Sequence, residues 1–178
     1  MSINLIMAVN EEGALGYKNQ LLYHLDLKHF KNLTTYNEYG VKNYILFGRK
    51  SYESLPKKPL PNRTNIVVTH KEGYKVDDSH VIVCNSLEKT INHYLSGRQE
   101  KTLWICGGQN IYEQSIKFAD KVYLTMIHDK GKKFDVQFNL ELLNDFYIED
   151  KEERYSEEYQ CTYDYIIYKR KENAVDKK

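Results

Sequence analysis

Seven residues near the amino terminus, Ile3–Val9 (I-N-L-I-M-A-V), are apolar but for a single asparagine. A strand with one face in water alternates apolar and polar residues, so a run this continuous needs cover on both faces, as in the middle of a parallel sheet flanked by helices. It is also far too short to span a bilayer as a helix. This one stretch predicts an α/β layered fold and obliges the rest of the chain to supply further strands and helical crossovers.

The rest complies. Apolar runs recur at Tyr44–Phe47, Ile66–Thr69, Val81–Val83, the start of Leu103–Gln114, Val122–Ile127, Phe146–Glu153 and Cys161–Tyr168. Helical patterns fall between them at Leu25–Tyr36, at Tyr52–Leu55, after the candidate N-cap Ser86 and in the second half of Leu103–Gln114. The helix after Ser86 has the stripe Leu87, Ile91, Tyr94, Leu95, and the next turns Tyr112, Ile116 and Ala119 inward. The last two strands have no helix between them, which predicts an antiparallel hairpin on an otherwise parallel sheet. Asn10–His24, with Gly13, Gly16 and Asn19, reads as a long lid-like loop, and Asp129–Asn144 is loop-like too.

With 178 residues and 41% hydrophobic content, one core is the expectation. Residues 1–169 read as a single domain, and the charged tail 170–178 is expected to fray. The 26 basic and 25 acidic residues leave a net charge of +1, which gives neither nucleic acid nor a membrane a field to follow. Cys84, Cys106 and Cys161 lack disulfide or metal-ligand spacing and follow no signal-like start, so reduced thiols in a cytoplasm and no metal are expected. A small, local ligand remains.

Leu103–Gln114 (L-W-I-C-G-G-Q-N-I-Y-E-Q) shows where it would lie, because a strand enters two glycines and leaves as a helix. Glycines let backbone approach a ligand, and the helix start offers unpaired N–H groups and a positive dipole end. Since G-x-G-x-x-G is absent, Gly107-Gly108 taken alone also suits a plain tight turn. The theme recurs at Gly48-Arg49-Lys50-Ser51, where two cations and a hydroxyl at a helix start suit phosphate, though solvated surface charge would look the same. His70-Lys71 ends another strand. Strand ends are where open α/β sheets bind ligands. Asp26 shares a helical stripe with Phe30 and Leu33, either as an N-cap or as an acid facing the same crevice. Arg63 is presented by the proline-stiffened turn Lys57–Asn65, suited to gripping a carboxylate.

Taken in order, I-N-L-I-M-A-V, G-A-L-G, H-L-D-L-K-H-F, F-G-R-K-S-Y-E-S-L, P-L-P-N-R-T-N-I-V-V-T, I-C-G-G, I-Y-E-Q and Y-L-T resemble dihydrofolate reductase nearly end to end. The resemblance implies a mostly parallel eight-stranded sheet with an antiparallel C-terminal strand and four flanking helices. It implies reduction of 7,8-dihydrofolate to tetrahydrofolate with NADPH, supplying one-carbon carriers for thymidylate, purine and amino-acid synthesis. Antifolates such as trimethoprim or methotrexate would compete, and a monomer would suffice.

Position by position, Asp26 resembles the acid that holds the pterin's amino-pyrimidine edge, Thr125 the hydroxyl that supports it, and Tyr23 a holder of nearby water. The ring pocket maps to Ile6, Met7, Leu27, Phe30 and Cys106, with Leu55 and Leu60 toward the aminobenzoyl group and Arg63 on the glutamate tail's α-carboxylate. For the cofactor, Ala8, Leu15 and Gly16 lie toward the carboxamide, and Gly48, Arg49, Lys50 and Ser51 form the corner for 2′-phosphate and pyrophosphate, with Thr69 and His70 adding to it. Gly107, Gly108, Gln109, Asn110, Ile111 and Tyr112 resemble the second phosphate corner, in which the Gly-Gly bond is cis. The chain departs from the bacterial pattern L-P-W-x-L-P-x-D, reading L-L-Y-H-L-D, and has Gln109 for a third glycine and Met126 after Thr125. Two other readings stay in play. One is a reductase of an aminopyrimidine in riboflavin synthesis, which would leave Arg63 without a use; the other is a nucleotide-binding or structural homologue without turnover.

Overall fold

The computed structural model describes residues 2–24, 27–97 and 100–172. Its main sheet has eight strands in the order β10-β11-β8-β1-β7-β4-β5-β6. They are β1 (Ile3–Asn10), β4 (Tyr44–Gly48), β5 (Thr64–Val68), β6 (Val81–Cys84), β7 (Leu103–Ile105), β8 (Lys121–Ile127), β10 (Phe146–Ser156) and β11 (Cys161–Arg170). As its apolar run requires, β1 is central: it pairs in parallel with β7 (Ile3 opposite Leu103) and β8 (Asn4 opposite Lys121, Ala8 opposite Thr125). Parallel pairing continues from β7 to β4, β5 and β6, while β11 runs antiparallel to β8 and β10 to β11. The C-terminal hairpin is therefore the antiparallel addition.

Alternation along β1 divides the core between two faces. Leu5, Met7 and Val9 join Leu46, Leu103, Ile105 and Leu124 on the side of α3 (Leu87–Ser96) and α4 (Gln109–Ser115). Ile6 joins Ile45, Phe47, Val67 and Trp104 on the side of α1 (Leu27–Thr35), whose Phe30 and Leu33 pack against them. Each fully buried Leu or Ile contributes about 1.5–3 kcal/mol to this sandwich. Ser86 caps α3, its hydroxyl accepting from Lys89 N at 3.3 Å. The stripe expected there holds for Leu87, Ile91 and Tyr94, but Leu95 is exposed, standing about 100° round the helix from the buried Tyr94. The second helix, α2 (Arg49–Glu53), starts earlier than Tyr52 and so includes the basic corner itself. The outer strand β10 carries E-D-K-E-E-R through its exposed middle, charge that discourages further strands from pairing.

Two stretches expected to be loops contain strands. Ala14–Tyr17 (β2) and Gln20–Leu21 (β3) form a hairpin that pairs with β9 (Val136–Gln137) as a separate three-stranded sheet. Their brevity and glycines hid them. The hairpin is a flap over the main sheet's carboxyl edge, tied to the β8–β9 connection where Lys18 N donates to Asp135 Oδ2 and Asp135 N to Gly16 O, both at 3.0 Å. Strand β11 runs one residue past the expected domain boundary, and Arg170 donates from Nε to Ala119 O at 2.8 Å and from Nη2 to Ile116 O. Residues 173–178 of the expected tail lie outside the described residues. No described helix is long and apolar enough to cross a membrane.

Candidate active site

The two glycine corners stand side by side at the carboxyl ends of β4 and β7. Gly48 N donates to Gly107 O at 2.7 Å, so the corners are joined by a backbone bond. Gly107 has φ +114°, which side chains rarely adopt, and a Cβ on Gly108 would stand 2.9 Å from Ser51 Oγ. The Gly107-Gly108 bond is cis. Gly48 and Gly108 are the N-caps of α2 and α4, and neither has a side chain to satisfy the first-turn N–H groups, which leaves donors at both corners. Tyr112 donates its hydroxyl to Ile6 O at 2.7 Å, locking α4 over the central strand. Arg49 pairs with Glu53 at 2.8 Å on the short helix.

These corners border a crevice of about 840 Å³ that runs beneath the flap. Ala8, Leu15 and Gly16 line it, as do Gly48, Arg49, Lys50 and Ser51. So do Thr69 and His70, and the second corner from Gly107 through Gln109, Asn110, Ile111 and Tyr112. Toward α1 the lining turns apolar with Ile6, Met7, Leu27, Phe30, Leu55 and Cys106, and Tyr23 closes that end. Burial pushes the Cys106 thiol above its ordinary range, so it serves as a neutral wall.

Leu60 and Arg63 do not line the crevice but stand behind its apolar end. Leu60 packs with Phe30 and Leu55 on the Ile6 cluster. Arg63 is only 6% exposed, its guanidinium 5.8 Å from the Phe30 ring centroid. Its Nε donates to Pro61 O at 3.0 Å and Nη1 to Thr34 Oγ1 at 2.9 Å, and no described carboxylate pairs with it. Burial holds its pKa below the ordinary value. Thr125, buried in β8, lies beside Ala8 on the same strand face as Tyr123, which packs with the Ile6 cluster. Asp26 lies outside the described residues. Tyr23 is buried and donates its hydroxyl to Asp129 Oδ2 at 3.2 Å; burial pushes the phenol up to about 12.

The flap adds Tyr17, Asn19, Gln20 and Leu21 to the crevice, residues that no periodic pattern marks because their strands are only two to four residues long. Ser86, Leu87, Glu88 and Gln114 line it too; Ser86 is legible in the sequence as a cap, a role that says nothing of what the helix start faces. A second crevice, about 880 Å³, lies along α3 and shares only Thr69, His70 and Ser86 with the first. It lacks both glycine corners.

The turn between β1 and β2 is held by His128, whose Nδ1 is 2.9 Å from Glu11 and Nε2 2.9 Å from Asp164. Lys130 also pairs with Glu11 at 3.3 Å and Lys151 with the 2%-exposed Asp164 side chain at 3.1 Å. Only the imidazolium can donate to both carboxylates, and they raise its pKa, Glu11 foremost and then Asp164. Because the folded value is raised, this stabilisation is full below the unfolded pKa near 6.5 and is lost as pH rises through the folded value. His128→Gln should therefore lower Tm by about 1–4 °C at pH 6 and by less at pH 9. Thermal melts across that range check it, and a constant difference would refute it.

A family model described as dihydrofolate reductase matches residues 2–170. The dihydrofolate reductase of Buchnera aphidicola subsp. Schizaphis graminum is 37% identical over 133 residues, 74% of this chain and 75% of that protein. That of Staphylococcus aureus is 36% identical over 132 residues, covering 73% and 74%. That of Aedes albopictus is 31% identical over 182 residues, covering 94% and 96%. A solved structure of the dihydrofolate reductase from Enterococcus faecalis, complexed with NADP(H) and RAB-propyl, matches with a TM-score of 0.82 at 29% identity, over 96% of this chain and 97% of that one.

Proposed function

Because the chain belongs to the dihydrofolate reductase family, we propose that its crevice holds NADPH along the two glycine corners and dihydrofolate at the α1 end, with Asp26 as the acid. The enzyme reduces 7,8-dihydrofolate to tetrahydrofolate with NADPH. What carries the assignment of its residues is the single crevice that gathers every residue expected at the cofactor together with the apolar wall expected at the pterin.

The corners fit a phosphate-bearing cofactor, since uncapped helix starts at Gly48 and Gly108 offer N–H donors and Arg49, Lys50 and His70 offer cations. When bound, NADPH supplies a hydride to C6 of dihydrofolate. Asp26 accepts two parallel N–H bonds from the amino-pyrimidine edge and favours the substrate protonated at N5, the proton arriving through water. Thr125 supports that edge. Ile6, Leu27, Phe30, Leu55 and Cys106 exclude water from the ring. Arg63, behind this wall and 6% exposed, is assigned to the α-carboxylate of the glutamate tail because it is a guanidinium with no described carboxylate partner, and it would have to be reached from the edge of the crevice. Antifolates would occupy the same α1 end. We further read residues 1–169 as one domain, active as a monomer in the cytoplasm, in keeping with its near-neutral charge and three free cysteines.

Arg49→Ala tests the cofactor half. KM for NADPH should rise roughly tenfold while KM for NADH changes less than about twofold, because only the phosphorylated ribose loses a partner. Steady-state kinetics with both cofactors decide it, and equal effects would remove Arg49 from the 2′-phosphate.

A further inference from the structure

The root of the flap, where the chain turns toward α1, is held by a side chain to which the reaction gives no task. Lys132, between β8 and β9, places Nζ 4.6 Å from the ring centroid of Tyr23 and 4.6 Å from that of Tyr159. The two rings meet edge-on with centroids 5.7 Å apart. The same ammonium pairs with Asp129 Oδ2 at 3.4 Å, the oxygen that accepts the Tyr23 hydroxyl. Tyr159, in the turn between β10 and β11, accepts the backbone N–H of His24 on its hydroxyl at 3.2 Å.

An i,i+3 lysine–aspartate pair at a surface holds little by itself. Here the cation also faces two aromatic rings and its side chain is only 37% exposed, so three attractions act on one partly desolvated charge. Three stretches distant in sequence meet on it: residues 23–24 at the root of the flap, the β8–β9 connection and the β10–β11 turn. The root is otherwise poorly placed to hold itself, since it lies between the two-residue strand β3 and α1 and belongs to neither.

We propose that Lys132 is a positioning residue for the reduction, acting through Tyr23 to fix the crevice wall at the substrate end. The proposal rests on reading the α1 end as the substrate half. Tyr23 lines the crevice, and its hydroxyl is committed to Asp129, so it serves there as a wall and not as a donor to what binds. Without the ammonium, Asp129 loses its cation and the two rings lose the charge between them. Bound substrate must then order a wall that was already ordered, and affinity falls by the fraction of molecules no longer poised to bind. The cofactor corners are held by separate bonds, Gly48 to Gly107 and Tyr112 to Ile6, and should not follow.

Lys132→Met keeps the aliphatic stem and removes the charge, while Lys132→Arg keeps a cation able to stack on both rings and pair with Asp129. In the full-length protein, Lys132→Met should raise both the Kd for dihydrofolate, by fluorescence titration, and its KM roughly five- to tenfold, with KM for NADPH within about twofold. Amide exchange should quicken at residues 22–24 and 157–160. Lys132→Arg should return both dihydrofolate values to within about twofold. Tyr159→Leu should reproduce the rise, and the double variant should be no worse than the poorer single one. A lower Tm with unchanged dihydrofolate values would overturn the positioning role, as would failure of the arginine to rescue. A rise confined to NADPH would overturn the reading of the α1 end as the substrate half.

Discussion

Asp26→Asn lowers kcat/KM for dihydrofolate at pH 7 by about a hundredfold or more and leaves KM for NADPH nearly unchanged; this is the result expected if the acid works on the pterin. Asparagine keeps the size of the side chain but replaces one acceptor oxygen with a donor, so it meets one pterin N–H with an N–H of its own. It also withdraws the negative charge that favours a protonated substrate. The loss should shrink as pH falls, because dihydrofolate then acquires the proton from solution without help from the protein. A pH profile of kcat/KM for both proteins makes the comparison, with thermal melts run alongside. If the variant keeps full activity at pH 7 and only its melting point drops, Asp26 is a helix cap and no more.

Arg63→Leu should separate affinity from stability. The guanidinium is buried among Phe30, Thr34 and Pro61 with no described carboxylate beside it, so the cost of desolvating the cation is offset only by two hydrogen bonds to neutral oxygens and one aromatic face. Replacing it with an apolar side chain should leave Tm unchanged or raised, since Thr34 keeps its own bond to Phe30 O at 2.8 Å. KM for dihydrofolate should rise about 30- to 1,000-fold, the loss expected when a desolvated, charge-assisted pair is removed. A dihydropteroate that lacks the glutamate should notice little. Kinetics with the two substrates separate the outcomes: an equal loss on both would mean that Arg63 shapes the pocket and does not bind the tail.

How far the chain could be read before folding depended on the distance over which each feature is decided. Ile3–Val9, Ser86 and the two glycine corners are local statements, and the structure keeps them: a central strand, a cap on α3 and two uncapped helix starts facing one crevice. Partner-dependent features were not legible. Ala14–Tyr17 is a strand only because Val136 and Gln137 come to lie beside it, and nothing within its four residues announces that pairing. Leu95 fits the helical spacing of the stripe and is nevertheless exposed, because the width of the face that is covered depends on what packs against α3 and not on the helix's own period. Tyr23 lines the α1 end of the crevice, but its bond to Asp129 joins positions 106 apart in the sequence, beyond the reach of any periodicity.

The pairing of β1 also governs the order in which the protein can be made. Its neighbours are β7 and β8, which begin at Leu103 and Lys121, so during synthesis β1 waits for roughly a hundred further residues before either partner exists. At about 5–20 residues per second, that interval lasts roughly 5–25 seconds, with I-N-L-I-M-A-V exposed throughout. A strand buried along nearly its whole length in the finished enzyme is thus the one longest at risk of binding a stray hydrophobic surface during synthesis. The main sheet can close around β1 only once β7 and β8 have been made, and its central strand is the segment a nascent-chain chaperone would be expected to cover.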